Sequence, residues 1–224
     1  MEKQLVVKID IDGVIRDIST TMVALYNETF KTNMTVDRLI HYDVDDSFPR
    51  FRMHFPNQKN PAVKFFFEQH AEDVFLHSEP YYIARYAINK LQTYGYKVVL
   101  VTWQTSKKNK QYTLDFLEYN GIPYDDICFT RDKWIVNGDW MIDDNPEFLM
   151  DERDSSRMIK IVHPYNKHFH DDNIVEAADI ARAVNYIIKA DFAIGNENEQ
   201  NFSQNEQDFS QIEDSEEVIN RISE

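Results

Sequence analysis

Short apolar runs, each too brief for a helix and mostly rich in β-branched residues, punctuate the chain at residues 5–9 (LVVKI), 97–102 (KVVLVT), 126–130 (DICFT), 139–143 (DWMID) and 158–163 (MIKIVH). They read as buried strands. Between them, residues 81–94, 105–119 and 173–189 carry apolar positions at helical spacing, and the loops Asn120-Gly121-Ile122-Pro123 and Asn145-Pro146 have turn chemistry. Strand and helix in alternation predict an α/β fold, a Rossmann-like parallel sheet with right-handed crossovers. Residues 19–80 break the alternation: helical pieces over 20–30 and 61–75 flank a stretch with prolines and histidines at 41–60. We therefore expect residues 1–18 and 81–194 to form the core and 19–80 an inserted helical cap, placed after the first strand where it can act as a lid. The aromatics Phe48, Phe51, Phe55, Phe65, Phe66, Phe67, Phe75, Tyr81 and Tyr82 are mostly packing residues, with room for one or two to stack on a ligand ring.

Asp10 and Asp12 end the first run and Gly13 follows. Positions i and i+2 of a strand point the same way, so both carboxylates can share one site at the C-terminal edge of the sheet, where ligands bind in open α/β folds. Phosphoryl chemistry fits this arrangement; a plain strand ended by an Asp-Gly turn fits it too. Thr102 ends the second run, where its hydroxyl and the following backbone N–H groups can hold phosphate oxygens. Asp143 and Asp144 end the fourth. Adjacent carboxylates repel unless a cation or proton lies between them, and Asp10, Asp12, Asp143 and Asp144 make an all-oxygen set suited to Mg²⁺. The alternative for Asp144 is a helix cap ahead of Asn145-Pro146. Lys133 lies just past the third run, where a fixed ammonium would neutralise a nucleophile and a phosphoryl group. Arg131 either joins it or pairs with Asp132 or Asp139.

Composition narrows the classes. The net charge of −15 disfavours binding of long nucleic acid, which needs clustered Lys and Arg, but leaves a small phosphorylated ligand open. No apolar stretch approaches the roughly 18 to 20 residues of a membrane span. The single cysteine, Cys128, excludes an intramolecular disulfide, and Met1 to Gln4 lead into the first run without a signal-peptide core, so a cytoplasmic location is expected. From Gly195 onward nine carboxylates face only Arg221. That composition predicts a disordered acidic tail over 195–224, or a partner-binding helix around Ile212, Val218, Ile219 and Ile222.

In order, the DIDGV segment, Thr102, Lys133 and Asp143-Asp144 resemble the four motifs of the haloacid dehalogenase-like phosphohydrolases over about residues 4–190. Residues 129–147 (FTRDKWIVNGDWMIDDNPE) are similar to the third and fourth motifs of the 5'(3')-deoxyribonucleotidases, and residues 75–91, with Glu79-Pro80 ahead of a helix, resemble the stretch that leads from that family's cap to its core. The resemblance implies an aspartyl-phosphate on Asp10, Asp12 as general acid and then base, phosphate binding by Thr102 and Lys133, and Mg²⁺ held by Asp10, the Asp12 carbonyl and Asp143-Asp144. Trp103 and Ile18 depart from the family pattern, which has a small hydroxyl residue and an aromatic there. The expected function is Mg²⁺-dependent hydrolysis of a small phosphate monoester, foremost a nucleoside or deoxynucleoside monophosphate. A sugar phosphate or other metabolite is the rival substrate, a non-catalytic binding protein the rival class. Pairing with a second copy of the chain is left open.

Overall fold

In the computed structural model, residues 4–195 are described. The chain through Ile187 forms one compact unit; residues 188 onward form a second, of which only the end of the last helix falls within the described residues. The expected acidic tail lies outside them, apart from Gly195.

In chain order, β1 (Val6–Ile9) leads through the turn at Gly13 into α1 (Ile18–Phe30), then α2 (Val44–Ser47), α3 (Arg50–His54), α4 (Pro61–Lys64), α5 (Ala71–Phe75) and α6 (Ala84–Thr93). Then follow β2 (Lys97–Thr102), α7 (Lys107–Tyr119), β3 (Asp126–Phe129), β4 (Trp140–Asp143), α8 (Pro146–Leu149), β5 (Arg157–Ile161), β6 (Val175–Ala177) and α9 (Ile180–Gly195). The strands form one parallel sheet ordered β3-β2-β1-β4-β5-β6. Val98 to Thr102 are all buried, as befits a strand covered on both faces. In register, Ile9 lies opposite Leu100 of β2 and Ile142 of β4. Asp10 and Asp143, one residue further on, and Thr102, two past Leu100, therefore emerge together at the C-terminal edge of three adjacent central strands.

The segment inserted between β1 and β2 builds its own apolar cluster, with Met22, Val23, Tyr26, Leu39, Phe48, Phe51, Phe66, Val74 and Phe75 buried. Ile18, the departure noted above, packs against this cluster. α1 starts where the Asp17 carboxylate accepts from the Thr20 N–H at 3.0 Å, and it ends at Lys31 in the left-handed region. The single helix expected over 61–75 is broken: α4 passes into a π turn at Phe65–Gln69 before α5 begins. Successive residues on a helix point to different faces, and Phe65-Phe66-Phe67 must all find apolar cover. The helix expected over 173–189 is also corrected. Residues Val175–Ala177 form β6 against β5, and the helix begins only at Ile180.

Candidate active site

Asp10 is carried by the end of β1, its N–H donating to the Ile142 carbonyl of β4 at 3.0 Å. Asp143 ends β4 and Asp144 follows, and oxygens of Asp10, Asp143 and Asp144 lie within 4.8 Å of one another, all three residues buried. Lys133, on a 3₁₀ turn after β3, is buried and sends its ammonium to Asp143 Oδ2 at 2.6 Å and to within 2.9 Å of Asp10 Oδ1. Asp10 Oδ1 thus has only an ammonium that it shares with Asp143, and Asp144 Oδ1 is buried without a hydrogen-bond partner. Thr102 is buried at the end of β2, beside this group in the sheet register.

Burial would by itself lower the Lys133 ammonium, but the carboxylates of Asp10 and Asp143 outweigh it and hold it above its ordinary value. Burial raises Asp143 to about 6 against the pull of Lys133. Burial, then the neighbouring Asp143 and Asp10, raise Asp144 further. One ammonium among three carboxylates leaves negative charge uncompensated, and Asp144 Oδ1 lacks a donor. A hard divalent cation answers both deficits, so the residues fit a metal such as Mg²⁺. Gly13 keeps the space open: a Cβ there would lie 2.5 Å from Asp144 Oδ2 and 2.9 Å from the Tyr165 hydroxyl. Asp144 does not cap α8. That role belongs to Asn145, whose side chain accepts from the Glu147 N–H at 2.9 Å.

Asp12 stands apart from the triad. Its side chain is 19% exposed, Oδ1 meets Arg16 at 2.7 Å and Oδ2 accepts from Gln104 at 2.8 Å. Burial raises its carboxyl, and Arg16 opposes the rise. Sequence reasoning passed over Arg16 and Gln104, and over the support of Asp144. Tyr165 donates to Asp144 Oδ2 at 2.6 Å, and Asn166 donates to the Asp144 carbonyl at 2.7 Å. His163 stacks on Tyr165, 5.0 Å between ring centres, and its Nε2 bonds the Gly13 carbonyl at 2.6 Å. Burial lowers the His163 imidazole, which keeps it neutral at pH 7, so Nε2 is the donor. Tyr42, from the inserted segment, meets Tyr165 edge to face at 5.8 Å, with its phenol in the field of the Asp144, Asp143 and Asp10 carboxylates. Arg131 pairs with Glu147 at 2.7 Å and lies over the half-exposed Trp103 ring at 5.3 Å.

A parallel sheet whose central edge gathers an aspartate after β1, a threonine ending β2, a lysine after β3 and paired aspartates at the end of β4 defines a haloacid dehalogenase-like phosphohydrolase. Residues 4–192 match the family described as 5' nucleotidase, deoxy (pyrimidine), cytosolic type C, and the chain belongs to it. It is a phosphatase of the nucleotidase kind. A candidate 5'(3')-deoxyribonucleotidase of Chlorobaculum tepidum is 26% identical over 151 residues, spanning 65% of this chain and 72% of that protein. Among solved structures, a predicted phosphatase from Clostridium acetobutylicum shares the fold with a TM-score of 0.56 at 13% identity, covering 84% of this chain and all of that one. A candidate β-phosphoglucomutase from Thermotoga maritima does so with a TM-score of 0.56 at 14% identity, over 83% and 99% of the two chains. Among the described residues no helix is long and apolar enough to cross a membrane.

Proposed function

We propose that the protein hydrolyses (deoxy)nucleoside monophosphates through an aspartyl-phosphate on Asp10, with Mg²⁺ held by Asp10, Asp143, Asp144 and the Asp12 carbonyl. The carrying observation is the buried triad of carboxylates sharing the single Lys133 ammonium, with Asp144 Oδ1 left without a donor. Mg²⁺ bound there screens the repulsion between the anionic phosphate and its carboxylate nucleophile. Asp10 attacks phosphorus as the P–O bond to the nucleoside breaks, and Asp12 gives its proton to the departing oxygen. Asp12 then takes a proton from the water that attacks the phosphoryl group, releasing phosphate and restoring Asp10. Lys133 and Thr102 bind the phosphoryl oxygens, the ammonium offsetting charge that builds on them.

Residues 19–80 serve as the cap in this reading, closing over the phosphate and excluding water. The family description and the name of the Chlorobaculum relative support this substrate class, and so does Tyr42: a half-exposed ring in the field of the carboxylates is suited to meet a planar base. A chain with net charge −15 is suited to a small phosphorylated substrate, not to long nucleic acid. The single cysteine accords with a cytoplasmic location.

A phosphate-release screen over nucleoside monophosphates and sugar phosphates, with Mg²⁺ and with excess EDTA, tests the proposal. Nucleotide hydrolysis that stops in EDTA is the expected result. Undiminished release in EDTA overturns the metal, and sugar phosphates cleaved as well as nucleotides overturn the substrate class.

A further inference from the structure

Arg16 has no exposed surface. A guanidinium is costly to bury unless its N–H groups are met, and those of Arg16 are met on three sides. Nε donates to Asp12 Oδ1 at 2.7 Å, Nη1 to the Phe75 carbonyl, and Nη2 to Thr113 Oγ1 at 3.2 Å while also standing 2.7 Å from Asp12 Oδ1. The rings of Phe75 and Phe116 lie 5.1 and 4.9 Å from its central carbon.

The loop itself aims Arg16 at Asp12. The Ile11 carbonyl accepts from the N–H groups of Val14, Ile15 and Arg16, and the Arg16 carbonyl accepts from Gly13 at 3.0 Å. The turn doubles back within a few residues and sets the guanidinium beside the carboxylate four positions earlier. Attack by Asp10 and binding of the phosphate make no direct use of this arginine, so its burial against Asp12 calls for a role of its own.

We infer that Arg16 is a positioning residue for the reaction: it fixes the Asp12 carboxylate in the orientation that carries the proton, and fastens that orientation to α5 and α7 through Phe75 and Thr113. The inference rests on the phosphatase reading, with Asp12 as acid and base. A guanidinium only donates, so Oδ1 cannot hold a proton toward it, and the proton belongs on Oδ2. Gln104 faces Oδ2, and its amide serves both protonation states, Nε2 donating to the carboxylate as observed and Oε1 accepting from the acid after a flip. In the first half-reaction the Oδ2 proton passes to the nucleoside oxygen as the P–O bond breaks and the bond from Asp10 forms. In the second, a proton of water returns to Oδ2 as the water oxygen bonds to phosphorus and the bond to Asp10 breaks. Arg16 keeps its protons throughout.

The test compares two leaving groups. A nucleoside oxygen needs the proton from Asp12; p-nitrophenolate departs as a stable anion and does not. With Mg²⁺ present, kcat/KM reports the steps through departure of the leaving group. Arg16→Met is expected to lower it about a hundredfold on a nucleoside monophosphate, the scale of general-acid catalysis, and less than about tenfold on p-nitrophenyl phosphate. Equal losses on the two substrates would show a purely structural arginine and overturn the inference. If Arg16→Met lacks a cooperative melt, Thr113→Val carries the test, since it removes one anchor and keeps its shape. A skew of about threefold or more in the same direction is then expected, and an unskewed loss overturns the inference. Wild-type protein that cleaves neither substrate would instead bring down the phosphatase reading and this inference with it.

Discussion

Lys133 holds its ammonium 2.9 Å from Oδ1 of Asp10, and the same ammonium donates to Asp143 at 2.6 Å. A carboxylate nucleophile thus sits beside a fixed buried cation that phosphate oxygens can share. Asn at position 10 keeps the shape and removes the nucleophile. Asp10→Asn is expected to retain a cooperative melt and to turn over nucleoside monophosphates at less than about one thousandth of the wild-type rate, the scale seen when a covalent nucleophile is removed. Phosphate release near the wild-type rate from the folded variant would rule out the covalent route.

The charge imbalance among the three aspartates predicts how metal and pH act on stability. Burial lifts Asp143 to about 6, and burial with its neighbours lifts Asp144 higher, so the folded chain binds these protons more tightly than the unfolded chain. Their contribution in the metal-free protein is therefore fully present below the ordinary carboxylate range and is lost as pH rises through the raised folded values. Mg²⁺ needs the deprotonated oxygens, so its stabilisation runs the other way. At a concentration a hundred times its Kd it should add about 2.7 kcal/mol near pH 7.5, or roughly 5 to 10 °C in Tm, and much less near pH 5.5. Asp144→Asn should shrink the shift. Thermal melts across a Mg²⁺ titration check this, and equal shifts at the two pH values would count against a site at the triad.

Gly13 offers a sharper local test. Its φ of +82° lies in the left-handed region, and a Cβ there would press on Asp144 Oδ2 at 2.5 Å. Gly13→Ala should cost about 1 to 2 kcal/mol for the backbone alone. Displacement of the aspartate should lower kcat about a hundredfold, as misplaced reacting groups do. Crystals or melts showing an unmoved Asp144 and normal Mg²⁺ response would refute the cradle.

Local patterns made much of this legible. The buried strand 97–102 and the aspartates closing β1 and β4 announce themselves because strand, edge and chemistry sit within a few residues of one another. What escaped depends on partners far along the chain. Tyr165 reaches Asp144 across 21 positions, and Gln104 reaches Asp12 across 92. β6 spans only three residues, too few for a periodicity, and it exists because β5 offers an edge. Arg16 did leave a signal, a cation directly after the apolar pair Val14-Ile15 and four residues from Asp12.

Tyr42 decides how far the nucleotide reading goes. It enters from the inserted segment, is 47% exposed, lies edge to face with Tyr165, and feels the carboxylates of Asp144, Asp143 and Asp10. In the proposed reading the organic portion of a phosphate bound at Asp10 meets that ring. Contact with a planar base is worth about 0.5 to 1.5 kcal/mol, several-fold to roughly tenfold in kcat/KM, whereas a sugar ring has no π face to offer. Thymidine or deoxyuridine monophosphate should therefore be cleaved faster than glucose 6-phosphate. Tyr42→Ala should remove several-fold of that advantage, acting on the nucleotides and leaving the sugar phosphate nearly unchanged. Trp103 stands near the same edge but is engaged by Arg131, so Trp103→Ala should shift the ratio less. If Tyr42→Ala lowers both substrates alike, Tyr42 serves cap packing and base recognition lies elsewhere. If the wild type shows no preference to begin with, the protein remains a phosphatase of this fold with a substrate other than nucleotides.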